Sequence, residues 1–184
     1  MFVKGIFGFS IEVRKRFKTE SLKNSFTVAW AAIPEDISRN LSPFIRQVRE
    51  VDKLSGTYIG CPDGTRYGPL ESGTGYTFFY KDINVAFCDI ILPATLSEAT
   101  QAQLIAVILH ELSHAWNYCQ NHEVATEGVE IEGEIRAWRQ AAAWARLGIS
   151  DSELASEVAS EASVEELGRM IGLLQKLLYQ IEQE

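Results

Sequence analysis

The chain of 184 residues has few cysteines, no long apolar run and fewer basic than acidic residues. The cysteines, Cys61, Cys88 and Cys119, show no paired spacing, so we predict free thiols in a reducing, cytoplasmic compartment and no disulfide framework. No stretch is apolar for long enough to span a bilayer. The net charge of −8 argues against nucleic acid or an anionic membrane as the main partner.

Histidine is also scarce, and two of the three histidines fall within one apolar stretch of helical character. This stretch contains His110-Glu111-x-x-His114. Residues four apart on a helix lie roughly 40° apart around its axis, so both imidazoles can reach one point in space. Glu111 lies about 100° round from His110 and can face the same cleft without binding the same ion. The arrangement is typical of a zinc ion held by two histidines with a glutamate beside it.

The stretch resembles the zincin metallopeptidases, in which catalytic zinc takes three protein ligands. The metzincin pattern fails, because Asn117 and Gln120 stand where that group has a glycine and a histidine. In the thermolysin-like group, the gluzincins, the third ligand is a glutamate on the next helix. Glu134 has the spacing of that ligand, since it lies 20 residues after His114. The resemblance therefore implies Glu134 as the third zinc ligand.

Two features of the downstream segment keep alternatives open. Several nearby residues are rivals for the role of third ligand: Glu127, Glu130, Glu132 and His122. In addition, the thermolysin-like pattern has an acidic residue four positions after the ligand glutamate, which orients the first histidine. Here that position is Trp138, so Glu130, one turn before Glu134, becomes the candidate for the orienting role.

The local patterns predict an α+β fold in one domain, residues 1–184, with a short mixed or antiparallel sheet before the metal helix, the ligand helix and the C-terminal helices. Residues 1–95 are expected to be mainly sheet with one helix, and residues 96–184 mainly helical. Strands are predicted at 2–13, 57–61, 76–80 and 83–92, and residues 25–33 form a strand or the start of a helix. Helices are predicted from Asp36 to about Val51, from a Thr95–Glu98 capping box to about Cys119, and from 124 to 147.

The C-terminal segment carries apolar residues at alternating spacings of three and four. Asp151 is predicted to cap a short helix, and Ser163 with Glu166 to form a capping box that begins the last helix. The apolar residues of that helix form a heptad seam: Val164, Leu167, Ile171, Leu174, Leu178 and Ile181. Because the seam spans fewer than three heptads, we predict that it packs onto its own domain in a monomer. A dimer formed through this helix is the alternative.

The resemblance implies a zinc-dependent peptidase that acts on peptide or protein substrates. Its metal ligands are then His110, His114 and Glu134, and Glu111 is the general base that takes a proton from the zinc-activated water. The family layout further implies that the substrate peptide pairs with an edge strand. Two other hypotheses remain: a zinc-binding, peptidase-like domain that serves regulation or partner binding, and a helical protein with a chance motif.

The residue that stabilises the oxyanion cannot be identified from a motif. The downstream tyrosine and cations are the options: Tyr179, Arg136, Arg139, Arg146 and Arg169.

Overall fold

The computed structural model describes residues 14–60, 64–71, 73–81, 86–121 and 129–183. In these segments a layer of helices covers one face of a four-stranded sheet, which confirms the predicted α+β class. The strands are β1 (Arg14–Arg16), β2 (Ile45–Val51), β3 (Ile59–Gly60), β4 (Arg66–Tyr67), β5 (Tyr76–Lys81) and β6 (Ala86–Pro93). The helices are α1 (Glu20–Ala32), α2 (Glu35–Leu41), α3 (Gln101–Asn121), α4 (Val129–Gly148) and α5 (Ser152–Gln183), with a 3₁₀ turn at Ala94–Glu98.

The main sheet is mixed, with the strand order β1-β2-β6-β5. β2 pairs in parallel with β1 and with β6, whereas β5 runs antiparallel to β6. In the described part of the chain no strand pairs with the outer edge of β5. The short β3–β4 pair is a separate sheet, and Ile59 of β3 packs with Ile91 and Tyr80 on the face away from the main helices.

α3 is the central helix of the domain. Every residue from 104 to 113 is buried, because α1, α4, α5 and the sheet all pack against this helix. The helix begins later than predicted. Thr100 and Gln103 form its reciprocal capping pair. The Thr100 N–H donates to Gln103 Oε1 at 3.1 Å, and the Gln103 N–H donates to Thr100 Oγ1 at 3.2 Å. Thr95 and Glu98 lie in the 3₁₀ turn, so the predicted capping box was wrong.

The predicted helix from Asp36 to Val51 was wrong in its second half. α2 ends at Leu41, before Pro43, and the chain then enters β2, which pairs on both sides within the sheet. A β-bulge between Ile45 and Gln47 explains the misleading pattern. The extra residue places Ile45 and Val48 on the same buried face although they are three positions apart, and this spacing imitates a helix.

α5 is one continuous helix, so the predicted break near Ser163 was wrong. Asp151 caps it as predicted, because its Oδ1 accepts bonds from the N–H groups of Glu153 and Leu154 at 3.0 and 3.1 Å. The Ser163 hydroxyl instead donates to the Ala159 carbonyl, 2.7 Å away inside the helix.

The prediction that the C-terminal seam packs onto its own domain was also wrong. The contact with the domain is made by small and branched residues of the first half of α5: Ala155, Val158, Ala159 and Ala162. Five residues of the predicted seam, Val164, Leu167, Ile171, Leu174 and Leu178, are between 55% and 62% exposed. This apolar surface, which we call the α5 seam, is uncovered in the described part of the chain.

The remaining predictions fall partly on described residues. The apolar run 25–33 lies almost entirely in α1, which confirms its helical alternative and gives the first half of the chain two α-helices instead of one. The strand at 2–13, residues 83–85 of the later strand and residues 124–128 of the ligand helix lie outside the described residues. Among the described helices, none combines the length and the apolar character that crossing a membrane requires.

Candidate metal centre

Two helices bring the three predicted metal ligands together. His110 and His114 lie one turn apart on α3, and Glu134 faces them from α4. The two Nε2 atoms are 3.1 Å apart, and their rings stand nearly perpendicular, at 85°. Glu134 Oε1 lies 2.9 Å from His114 Nε2, and Glu134 Oε2 lies 3.5 Å from His110 Nε2. The glutamate 20 residues after the second histidine therefore reaches the point that both histidines face.

The spacing of these donor atoms suits one metal ion. Four ligands at about 2.0–2.1 Å around a tetrahedral ion are about 3.3–3.4 Å from each other. The three ligand atoms lie within 4.8 Å of one another, and the contacts of 2.9, 3.1 and 3.5 Å bracket the tetrahedral value. Two imidazoles and one carboxylate are also the donor set of a catalytic zinc site with one open position.

The rival ligands do not join this group in the described structure. Glu132 lies on α4 but is exposed and is not one of the three converging residues. His122, Glu127 and the side chain of Glu130 lie outside the described residues.

Burial and the shared carboxylate set the charge of the ligands. His110 is 4% exposed, and burial lowers its pKa to about 4, so the ring is neutral at pH 7. Burial also opposes the charge of His114, but the hydrogen bond with Glu134 and the nearby carboxylates outweigh it and raise the His114 pKa. Burial acts against the Glu134 carboxylate, yet its bonds with both histidines hold its pKa well below its usual range. A neutral imidazole and an ionised carboxylate are the forms that bind metal.

Trp138, which stands at the position where the thermolysin-like pattern has its orienting acid, contacts His110 directly. Its ring stacks on the imidazole with a centroid distance of 3.9 Å and an interplanar angle of 20°. The Nδ1 atom of His110 is buried and has no hydrogen-bond partner among the described residues. The plane of the first histidine is therefore fixed by stacking, in the place where the family pattern uses a hydrogen bond.

Glu111 lies beside the three ligands and points to the edge strand β5. Its carboxylate accepts a bond of 2.6 Å from the Thr77 hydroxyl, which also lies 3.1 Å from the Glu111 carbonyl oxygen. Burial raises the pKa of Glu111 to about 7, against the lowering effects of His114 and of the Thr77 bond. Gly75 approaches so closely that a Cβ atom there would lie 2.5 Å from Glu111 Oε1.

The sequence analysis did not identify Thr77 or Gly75 as part of this centre. Gly75 belongs to Gly73-Thr74-Gly75, which precedes an aromatic strand. A glycine at the start of a strand often marks the close approach of another group, and this was the available signal. Thr77 had no local signal, because an inward-facing threonine on a strand looks like any other β-branched residue.

Arg169 is the cation from the earlier set of oxyanion candidates that reaches the centre. Its Nε atom lies 3.8 Å from Glu134 Oε2, and its side chain is 53% exposed. Arg139 is instead engaged with Glu166, at 2.8 Å, and Arg146 with the Ser163 hydroxyl, at 3.4 Å. Tyr179 is exposed on α5.

Comparison of the chain with models of protein families, with curated proteins and with solved structures gave no match. Function is therefore inferred from the residues of the centre. Three donors converge as a metal site requires, and a buried carboxylate that titrates near neutrality lies next to them. Such a pair of features suits metal-assisted hydrolysis.

Proposed function

We propose that the protein is a zinc-dependent metallopeptidase, a hydrolase that cleaves peptide bonds in peptide or protein substrates. One observation carries the proposal: the donors of His110, His114 and Glu134 converge beside the buried carboxylate of Glu111. This is the residue set that the resemblance to the gluzincins implies, and it is assembled from two separate helices.

His110, His114 and Glu134 would hold the zinc ion. When bound there, zinc supplies Lewis-acid chemistry: it lowers the pKa of water and polarises a carbonyl group. Glu111 accepts the proton of the attacking water and then donates it to the leaving amine. A pKa near 7 suits both transfers at neutral pH, because the carboxyl group then gives and takes a proton with similar ease.

Thr77 and Gly75 give Glu111 a fixed position for this role. The Thr77 hydroxyl holds one carboxylate oxygen, while the absence of a side chain at Gly75 leaves room for the other. Both residues belong to or adjoin β5, whose outer edge is unpaired in the described structure. A peptide added to that edge would run past Glu111, with its backbone aligned by strand pairing. Arg169, whose Nε atom lies 3.8 Å from Glu134 Oε2, is a cation that can donate to developing negative charge.

Compartment and partners are part of the same proposal. Cys88 and Cys119 are free thiols, which supports a reducing, cytoplasmic environment. The proposed substrate is peptide, with neither nucleic acid nor membrane as a principal partner. The exposed α5 seam leaves both a monomer and a dimer compatible with this activity.

Glu111→Gln tests the proposal directly. Glutamine keeps the size and accepts a hydrogen bond from Thr77, but it cannot take a proton at neutral pH. We expect zinc content and melting temperature to be retained while cleavage of a denatured protein substrate falls by about 10²–10⁴-fold. The matched control is Glu132→Gln, which makes the same charge change at an exposed position of α4 and should leave turnover unchanged.

Three outcomes separate the hypotheses. Full activity of Glu111→Gln with zinc retained would exclude Glu111 as the base. Stoichiometric zinc in the unaltered protein without cleavage of any denatured protein or peptide library would favour a zinc-binding domain that serves regulation or partner binding. Absence of bound metal after exposure to zinc would leave only the hypothesis of a chance motif on a structural helix.

A further inference from the structure

A cluster of arginine and glutamine side chains lies on the sheet face opposite to α3. Arg16 of β1, Gly60 of β3, and Arg46, Gln47 and Arg49 of β2 line a cleft of about 320 Å³. Val48, in contrast, points into the core on the α3 side. We call this feature the arginine cleft. It is separated from the metal centre by the sheet itself.

A buried carboxylate fixes one side of the arginine cleft. Asp89 is fully buried and accepts bonds from Arg46 Nε at 2.8 Å, from Gln47 Nε2 at 2.6 Å and from the Tyr80 hydroxyl at 2.8 Å. The Arg46 guanidinium also lies over the Tyr80 ring, 4.5 Å from its centroid. Because the β-bulge turns Arg46 and Gln47 towards the same face, both side chains are held in place before any ligand arrives.

The other two arginines of the cleft have no carboxylate partner among the described residues. Arg16 and Arg49 are directly paired in the β1–β2 register. Neither forms an ion pair in the part of the chain that the structure describes. The Nε atom of Arg49 is shielded from solvent and has no hydrogen-bond partner there, while its Nη2 is 3.4 Å from the Tyr58 carbonyl oxygen. The cleft thus concentrates positive charge in a chain whose net charge is −8.

We propose that the arginine cleft binds the phosphate group of a small anionic ligand. Guanidinium groups present paired N–H donors that match phosphate oxygens, and the Nε donor of Arg49 is unused among the described residues. A volume of about 320 Å³ is at the lower end of the range for small-molecule sites, so a compact phosphorylated molecule fits. The inference does not depend on the proposed peptidase activity, because no residue of the metal centre lines the cleft.

Calorimetric titration with inorganic phosphate and with pyrophosphate tests this inference on the full chain. Arg49→Met and Arg16→Met should each weaken pyrophosphate binding by about 10-fold or more. Arg49→Lys should recover part of the loss, because lysine restores the positive charge but not the paired N–H donors of the guanidinium group. Arg39→Met is the matched control, since it removes one positive charge from an exposed helix position and should leave affinity unchanged. We leave Arg46 unchanged, because its loss would leave the buried Asp89 carboxylate without the cation that pairs with it.

One result would support the proposed phosphate site, and three others would overturn it. Saturable binding of phosphate or pyrophosphate that is lost in the Arg49 and Arg16 variants, with melting temperatures retained, supports the site. Binding that persists in both variants would place the anion elsewhere, at the metal centre for example, and would overturn the inference. An affinity for phosphate and pyrophosphate no higher than that for chloride would also overturn the inference. Binding of a single-stranded oligonucleotide without binding of pyrophosphate would also overturn it, because the surface would then recognise an extended polyanion.

Discussion

The contact between Gly75 and Glu111 provides the sharpest test of how the proposed base is positioned. In Gly75→Ala the new methyl carbon would lie 2.5 Å from Glu111 Oε1 and 2.9 Å from Cγ and Cδ. The carboxylate is the movable partner, so it must retreat by about 1 Å to reach ordinary contact, and a displacement of that size can cost about 10²-fold in rate. We therefore expect turnover to fall by about 10²-fold while zinc remains bound, because Glu111 is not one of the three converging ligands.

The stability of Gly75→Ala can be worked out from the same contact. Loss of the Thr77 bond to a charged carboxylate costs about 1.5–3 kcal/mol. Alanine also reduces the conformational entropy of the unfolded chain, and this stabilises the folded protein by about 0.4–1 kcal/mol. The net loss of about 0.5–2.6 kcal/mol should lower the melting temperature by about 1–10 °C for a domain of this size.

The matched control for Gly75→Ala is Gly73→Ala. A Cβ atom at Gly73 would meet its nearest neighbours at 3.6 Å, which is ordinary contact. Zinc by mass spectrometry, thermal melting and peptide cleavage should be measured on the same preparations of both variants. If Gly75→Ala keeps full turnover, the carboxylate does not act from the position beside β5, and the reasoning fails.

Two further predictions concern the third ligand and the C-terminal helix. Glu134→Ala should lower zinc affinity by about 10-fold or more in a competition titration, whereas Glu132→Ala should not, and equal effects would contradict the choice of ligand. Leu174→Ala should change the free energy of unfolding by no more than about 0.5 kcal/mol because Leu174 is exposed. Leu109→Ala, at a fully buried position of α3, should cost about 2–5 kcal/mol in the same denaturant titration, and a large loss for Leu174→Ala would show that the α5 seam is covered in solution.

The convergence of His110, His114 and Glu134 was largely predictable because these residues follow local rules. Helical geometry alone places His110 and His114 on one face. The spacing of the thermolysin-like pattern then pointed to Glu134 as the candidate third ligand, and the structure brings Glu134 within 2.9 Å of His114. The stacking of Trp138 on His110 was not predictable, because it depends on the packing of α4 against α3. Thr77 and Gly75 were missed for the same reason, since it is the tertiary contact between β5 and α3 that brings them to Glu111.

The errors in the fold also have physical causes. The bulge in β2 gave a strand the apolar spacing of a helix, and only Pro43 signalled the change between α2 and β2. The arginine cleft could not be found from composition, because Arg16 and Arg49 are 33 positions apart and meet only through strand pairing. In α5 the heptad pattern was correctly located, but a pattern indicates an apolar face without telling what covers it.

The outer edge of β5, which no described strand pairs, has a consequence for the behaviour of the protein in concentrated solution. The strand Tyr76–Lys81 reads Tyr-Thr-Phe-Phe-Tyr-Lys, so it has high β-propensity, no proline and a single charge, at its end. An unpaired edge of this kind is a template for the same strand of another copy, and proteins usually protect such edges with charge or cover. A bound peptide would occupy the edge and so act as a shield against self-association. The concentration at which the protein begins to self-associate should then depend on whether substrate or product occupies the edge of β5.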